Sequence, residues 1–479
     1  MKTTVNVEKW MSYGVYAVFV LAFVYVAYKS LSDSYLWYDE AGQFYISKGL
    51  SHYAKPFAPY SGIKDVIHYN RYFNLDPGGF SILLHYWSLV SNHYVWLRLL
   101  PFLFFMSALF VTYKIGMHLF HNHFLAVLLT SVILLAVVFS HIAGEIRAYT
   151  MEMLGVLLSL YYLHKNANSL TISKLVILAL MLDVFMTSRY GFVVYSFAFS
   201  LGLVFLMYKK QGFRSSLVPL SIYAAIVLCG VLTVYFVTMR YQNANAEPLT
   251  YVSYMGRDLK HTKWCNLSRC YYLIISYTLW CHFKKIPQNL YICFALIVST
   301  VFIILSFANL YPWDEQRTMS ATVCSYLAIG IMIMRHLNKH QFLLTILFFT
   351  WMFHLDDTNK NIRGAGKEFR ENFDWCIKHK KAEDIVFIGR MNNPEVRYLF
   401  EEGMWRNQYQ GVYPSQLYLG NGASHNRNGE KLKIDIKTAE DVDAAFYLMN
   451  ENAIEKLEDP SLFKLCEGHR YLYQKVKNE

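Results

Sequence analysis

Long apolar runs separated by short polar connections fill the chain from Met11 to about Leu355. A run of roughly 20 residues is what a bilayer crossing requires. The pattern predicts about eleven spans, at residues 11–30, 94–113, 124–140, 149–164, 175–187, 190–208, 217–239, 271–280, 290–310, 319–334 and 342–355. The first is too long for the core of a cleavable leader and lacks a small-residue cleavage site after it, so it is expected to remain as an anchor. From Asp356 the pattern becomes that of a water-soluble domain. Residues 382–389 read as a turn and buried strand, 394–403 as a helix, and 444–449 and 470–476 as further strands. The expected fold is an α-helical polytopic membrane protein over residues 1–355, followed by a C-terminal soluble α/β domain over 356–479.

Charge orients this scheme. One set of connections carries Lys114; Lys165 and Lys174; Lys209, Lys210 and Arg214; Lys284 and Lys285; and Arg335 with Lys339, without a single acidic residue. By the positive-inside rule these face the cytoplasm, together with the N-terminus and its Lys2 and Lys9. The alternate set, residues 31–93, 141–148, 188–189, 240–270, 311–318 and the whole tail, then faces the exoplasm or periplasm of a cell (inner) membrane. A hydrophobic fraction of 55% against 16% charged residues agrees with membrane residence. The net charge of +11 lies in the membrane part, because basic and acidic residues nearly balance after Asp356. Nucleic-acid binding, which would ask for a basic soluble domain, is thereby excluded.

The first exoplasmic loop, 31–93, is the largest among the spans. It opens on Trp37-Tyr38-Asp39-Glu40, two adjacent carboxylates just past a membrane boundary. Such groups are costly there unless water, a partner or a substrate uses them. Capping an interfacial helix over 39–50 is the plain reading and catalysis the functional one; one residue can cap while the other reacts. Residues 52–71, with Pro56, Pro59 and Gly62, read as irregular. Asp76-Pro77-Gly78-Gly79 reads as a turn into a helix over 80–90, with Pro77 at its first position and the helix lying in the membrane plane. A second loop gathers His141, Glu145, Arg147 and Tyr149; Arg189 and Arg317 begin spans on the same side. Each Arg read alone is a snorkelling side chain. Together they offer planar forks for a phosphate-bearing lipid. Asp183 is expected to form a structural ion pair with Arg189.

Cys265 and Cys270 share one exoplasmic loop, and Cys376 and Cys466 share the tail, which makes two disulfides possible in an oxidising compartment. The other four cysteines lie in or beside spans as packing residues. A zinc site at His261, Cys265 and Cys270 lacks a ligand spacing. Asn266-Leu267-Ser268 matches a glycosylation acceptor pattern.

Several stretches together resemble the polytopic GT-C glycosyltransferases, in particular the protein O-mannosyltransferase and lipid A aminoarabinose transferase branch. They are Tyr38-Asp39-Glu40; Asn74-Leu75-Asp76-Pro77 with Leu83-Leu84-His85-Tyr86-Trp87; Trp96-Leu97-Arg98-Leu99-Leu100-Pro101; Glu145-Ile146-Arg147-Ala148-Tyr149; and Tyr311-Pro312 with Arg317. The likeness covers residues 37–162 in detail and the later spans in layout. It implies an inverting transferase using a polyprenyl-phosphate-linked sugar as donor, with Asp39 or Glu40 as base and Arg147 and Arg317 on the phosphate. A glycan, lipid A or a protein would be the acceptor, and a surface-polysaccharide modifier such as an O-antigen glucosyltransferase is preferred. The family's second proline after Asp-Pro is Gly78 here, and the tail has no counterpart. No cofactor or metal is expected, since a paired-carboxylate diphosphate motif is missing. The tail itself is expected to serve as scaffold or acceptor-selecting domain. The competing classes are a transporter or flippase for lipid-linked sugars, disfavoured by the lack of an internal repeat, and a non-catalytic assembly protein.

Overall fold

A computed structural model describes residues 2–32, 36–50, 58–74, 76–243, 266–287, 289–308, 310–311, 316–337, 343, 371–376, 378–379, 386–388, 417–419, 444–448, 459–468 and 472–476. They divide into two compact units. One holds Met1–Ser30, Leu99–Arg240 and Ala246–Asp357; the other holds Leu31–Arg98, Tyr241–Asn245 and Thr358–Glu479. The large first loop thus groups with the tail.

The first unit is helical. Its elements are α1 (Lys2–Ser32), α5 (Tyr94–Phe120, whose first turn belongs to the other unit), α6 (His123–Leu135), α7 (Val137–Ile142), α8 (Tyr149–Asn166), α9 (Ile172–Met186), α10 (Tyr190–Gln211), α11 (Phe213–Val234, continued by a π-helical turn Tyr235–Met239 and by the short α12, Arg240–Asn243, which passes into the other unit after Arg240), α13 (Asn266–Phe283), α14 (Leu290–Phe307) and α15 (Met319–Leu337). Among the described residues six helices are long and apolar enough to cross a membrane: Ser12–Ser32, Tyr94–Phe120, Tyr190–Gln211, Phe213–Met239, Leu290–Phe307 and Met319–His336. This is the composition of a polytopic helical membrane protein. A helix also stands at the expected positions of α8, α9 and α13, the last reaching further than residues 271–280. The expected third span is broken: Ala136 is extended, ending α6 and starting the short α7. The span expected at 342–355 lies outside the described residues but for Leu343.

The core of this unit forms around α15, which packs against α6, α8, α10, α13 and α14. Its Leu327, Ala328 and Ile331 are sealed from solvent. The α11 helix instead turns an apolar surface outward, with Leu217, Val218, Leu228 and Leu232 exposed as suits a lipid-facing span. Asp183 does not meet Arg189. Its Oδ1 would be 2.3 Å from a Cβ at Gly230 and makes no hydrogen bond, because α9 packs tightly on α11 at that level.

In the second unit the loop forms three helices, α2 (Tyr38–Ser47), α3 (Ile63–Phe73) and α4 (Gly79–Ser88), packed against one another. A helix stands at the position expected for 39–50, as α2, with Glu40 to Gly49 all buried. The stretch 52–71 is not wholly irregular. Its three breakers all precede Ile63, Gly62 is the extended N-cap, and Asp65 and Arg71 occupy the first and last turns where the helix dipole favours them. Pro77 does not start a helix, because Gly78 in the left-handed region (φ 98°) caps α4. That φ is closed to proline, which fixes φ near −65°. The rings of Trp87 and Trp96 stack 4.3 Å apart, 7° from parallel. Each indole N–H donates to the other residue's carbonyl, at 2.6 and 2.8 Å.

The tail contributes a mixed sheet, β2-β1-β3-β5-β4, from β1 (Val386–Ile388), β2 (Leu417–Leu419), β3 (Phe446–Leu448), β4 (Phe463–Leu465) and β5 (Leu472–Lys475). The pairs β1–β2 and β1–β3 are parallel; β3–β5 and β4–β5 are antiparallel. β1, β3 and β5 fall inside stretches read as strands. β2 and β4 were not anticipated, and the helix expected at 394–403 lies outside the described residues. Cys270, Cys376 and Cys466 are free thiols in this structure, Cys270 being enclosed in α13; Cys265 lies outside the described residues.

Truncating Leu327 to Ala should cost about 2–5 kcal/mol through the cavity it leaves. Leu201→Ala, on a half-exposed face of α10, should change the unfolding midpoint in detergent little, and thermal melts of the two variants side by side check this.

Candidate functional site

Two groups of polar side chains stand out, one in each unit. The loop group begins where α2 starts. Glu40, three residues after the extended Trp37, reaches back to its backbone N–H at 3.4 Å. The same carboxylate takes both prongs of Arg98, Nη1 to Oε1 at 2.6 Å and Nη2 to Oε2 at 2.9 Å. Both residues are 1% exposed. A two-pronged guanidinium–carboxylate pair is the geometry in which a buried ion pair recovers most of its desolvation cost.

Beside it runs a ladder of neutral polar groups. Gln43 Nε2 donates to Ser81 Oγ (2.7 Å), Ser81 Oγ to Asn70 Oδ1 (2.7 Å), and Asn74 Nδ2 to both Gln43 Oε1 (2.9 Å) and Asn70 Oδ1 (3.0 Å). Asn70 Nδ2 closes onto the Asp76 carbonyl at 2.8 Å, drawing the Asp76 turn against α3. His85 donates from Nδ1 to the Ser47 carbonyl (2.7 Å), which fixes its tautomer. The Lys48 ammonium, buried, sits 5.1 Å from the Tyr60 ring centroid and near those of Phe44 and Tyr45. Glu40 and Asp76 are thus built into the core, whereas Asp39, one residue earlier, is only half-buried.

The second group lies in the span unit. Glu152, fully buried in α8, accepts from Ser320 through N–H (3.1 Å) and Oγ (2.5 Å) and from Arg189 Nη1 (3.4 Å). Arg189 lays its guanidinium over the Tyr149 ring, 4.1 Å from the centroid, and donates to the Gln316 carbonyl (3.1 Å). Gln316 Nε2 in turn meets Glu145 Oε2 at 3.4 Å. Gly191 lets this happen: a Cβ there would stand 2.9 Å from both Glu152 Oε1 and Tyr311 Oη. His141 and Arg147 are half-buried, and Arg317 is exposed, its carbonyl accepting from Tyr311 Oη at 3.3 Å. Glu145, Tyr149 and Arg189 are therefore brought together, and Arg317 is the guanidinium open to solvent.

The sequence reading passed over Arg98, Lys48, Glu152, Ser320 and Gln316 as site residues. Arg98 and Glu152 carried a usable signal, since each is an isolated charge inside an otherwise apolar helix, where a partner must exist. Among the described residues no cluster of three or more His, Cys, Asp or Glu has the arrangement to hold a metal ion. No protein-family model matches the chain, and no curated protein matches it.

Removing one member of the loop pair, as in Glu40→Gln or Arg98→Met, should destabilise the protein by about 3–5 kcal/mol. The double variant Glu40→Gln/Arg98→Met should recover part of that loss, and detergent melts of the wild type, the two single variants and the double variant measure the coupling. Gly191→Ala should lower stability by about 1–3 kcal/mol by crowding Glu152, whereas Gly14→Ala, inside α1 and meeting nothing within 4 Å, should raise it by up to about 1 kcal/mol in the same assay.

Proposed function

We propose that this chain is an integral membrane glycosyltransferase of the GT-C kind, moving a sugar from a polyprenyl-phosphate donor to a glycan, lipid or protein outside the cytoplasm, with inversion. The observation that carries the reading is the division of labour at Asp39-Glu40. Glu40 is locked to Arg98, while Asp39 keeps solvent exposure on the first turn of a helix that the ion pair holds still. A carboxylate on a rigid element is what a general base needs.

In this reading Asp39 takes the proton of the acceptor hydroxyl. As the bond to the anomeric carbon breaks, charge grows on the departing phosphate. Arg147 and Arg317 supply the guanidinium groups for it. The finer architecture belongs to the same proposal: about eleven spans, a cytoplasmic N-terminus, and an exoplasmic α/β tail that selects the acceptor.

Transfer from a labelled polyprenyl-phosphate sugar in washed membranes tests the proposal. Asp39→Asn should lose about 10²–10⁴-fold in rate with an unchanged melting temperature. Arg147→Ala and Arg317→Ala should weaken transfer without touching the loop unit. Full activity in Asp39→Asn would remove the assigned base, and a wild-type protein inert toward every such donor would remove the transferase reading.

A further inference from the structure

The tail holds two cysteines that the transfer chemistry does not use. Cys376 lies in the helical segment 371–376 and is fully buried. Trp375, beside it, sets its ring edge-on to Phe446 of β3, 5.5 Å between centroids, so this segment lies on the sheet face that presents Phe446.

Strand register says which face Cys466 occupies. In β3, Phe446 and Leu448 share a face and Tyr447 takes the other. Across the antiparallel pairing Leu448 faces Leu472 and Tyr447 faces Tyr473. One strand further, Leu465 faces Tyr473. Cys466, the next residue, stands opposite Leu472, where its N–H donates to the Leu472 carbonyl at 2.8 Å. Cys466 therefore falls on the side of Leu472, Leu448 and Phe446, the side against which the helical segment with Cys376 is packed. The Tyr447 and Phe463 rings, 4.9 Å apart, meet on the opposite face, as this register requires.

We propose that Cys376 and Cys466 are a redox-active thiol pair, closing a disulfide that ties the helical segment to the outer strands when the tail meets a disulfide oxidant. Burial pushes the Cys376 thiol well up from its ordinary range, and the neighbouring Cys466 pushes it further. Burial raises Cys466 as well. Cys466, partly exposed, is the entry point. Its thiolate attacks one sulfur of the oxidant's disulfide and releases the other as a thiol. The Cys376 thiolate then displaces the second oxidant thiol from Cys466, forming the Sγ–Sγ bond. Two thiols lose two protons and two electrons, and the oxidant disulfide becomes two thiols. This step does not depend on the glycosyltransferase reading.

The test uses the full chain in detergent, incubated with oxidised glutathione, alkylated under denaturing conditions and mapped by mass spectrometry. The expected result is a Cys376–Cys466 cross-linked peptide that dithiothreitol releases, with two fewer alkylated thiols than in the reduced protein. In Cys376→Ser the expected product is a lasting glutathione adduct on Cys466, because the displacing thiol is gone. Wild-type protein in which both positions remain alkylated, or each carries its own glutathione, or Cys376 links to a different cysteine, would overturn the proposal; the wild-type map decides it even if the serine variant misfolds.

Discussion

Two opposite charges enclosed where water cannot reach them, Glu40 and Arg98, set the terms for the loop unit. Each is tolerable only because the other is there, so helix α2 and the first turn of α5 cannot separate without exposing an uncompensated buried ion. The ladder through Gln43, Asn70, Asn74 and Ser81 has the same character: its groups satisfy one another and would be expensive to leave unmade. A loop between membrane spans is ordinarily the mobile part of a protein. This one is organised as a small core, with aromatic walls around Lys48 and a fixed imidazole at His85.

The span unit uses the same device with other parts. Glu152 is satisfied by Ser320 of α15 and by Arg189, the extended residue that precedes α10, and Tyr149 shields the arginine from the side. In an apolar surround such a network is an orienting element, because only one arrangement of α8, α10 and α15 satisfies all of its members. Its demand for space is met by Gly191, a residue that carries no chemistry and owes its place to what approaches it.

The helices were legible because length and apolarity are one-dimensional properties, and a polar turn marks each end. α3 was less so: the breakers before it dominated the reading, although its Asp65 and Arg71 were placed as a helix asks. Asp39 and Glu40 drew notice as a pair, but their separate fates turn on Arg98, 58 residues away. Glu152 depends on Ser320, 168 residues distant. No local pattern carries such pairings. The small β2 and β4 strands escaped for a related reason: neither sits in a longer apolar run of the kind that holds β1 and β3, and neighbours in the sheet define them.

The reciprocal clasp of Trp87 and Trp96 bears on how this region can vary. Each indole is anchored to the main chain of the other, so the peptide between them is fastened at both ends and its contour length is set by the width of one ring stack. A single residue added or removed there would force both clasps open together. Variation in loop length is accordingly not to be sought at the doorway of α5.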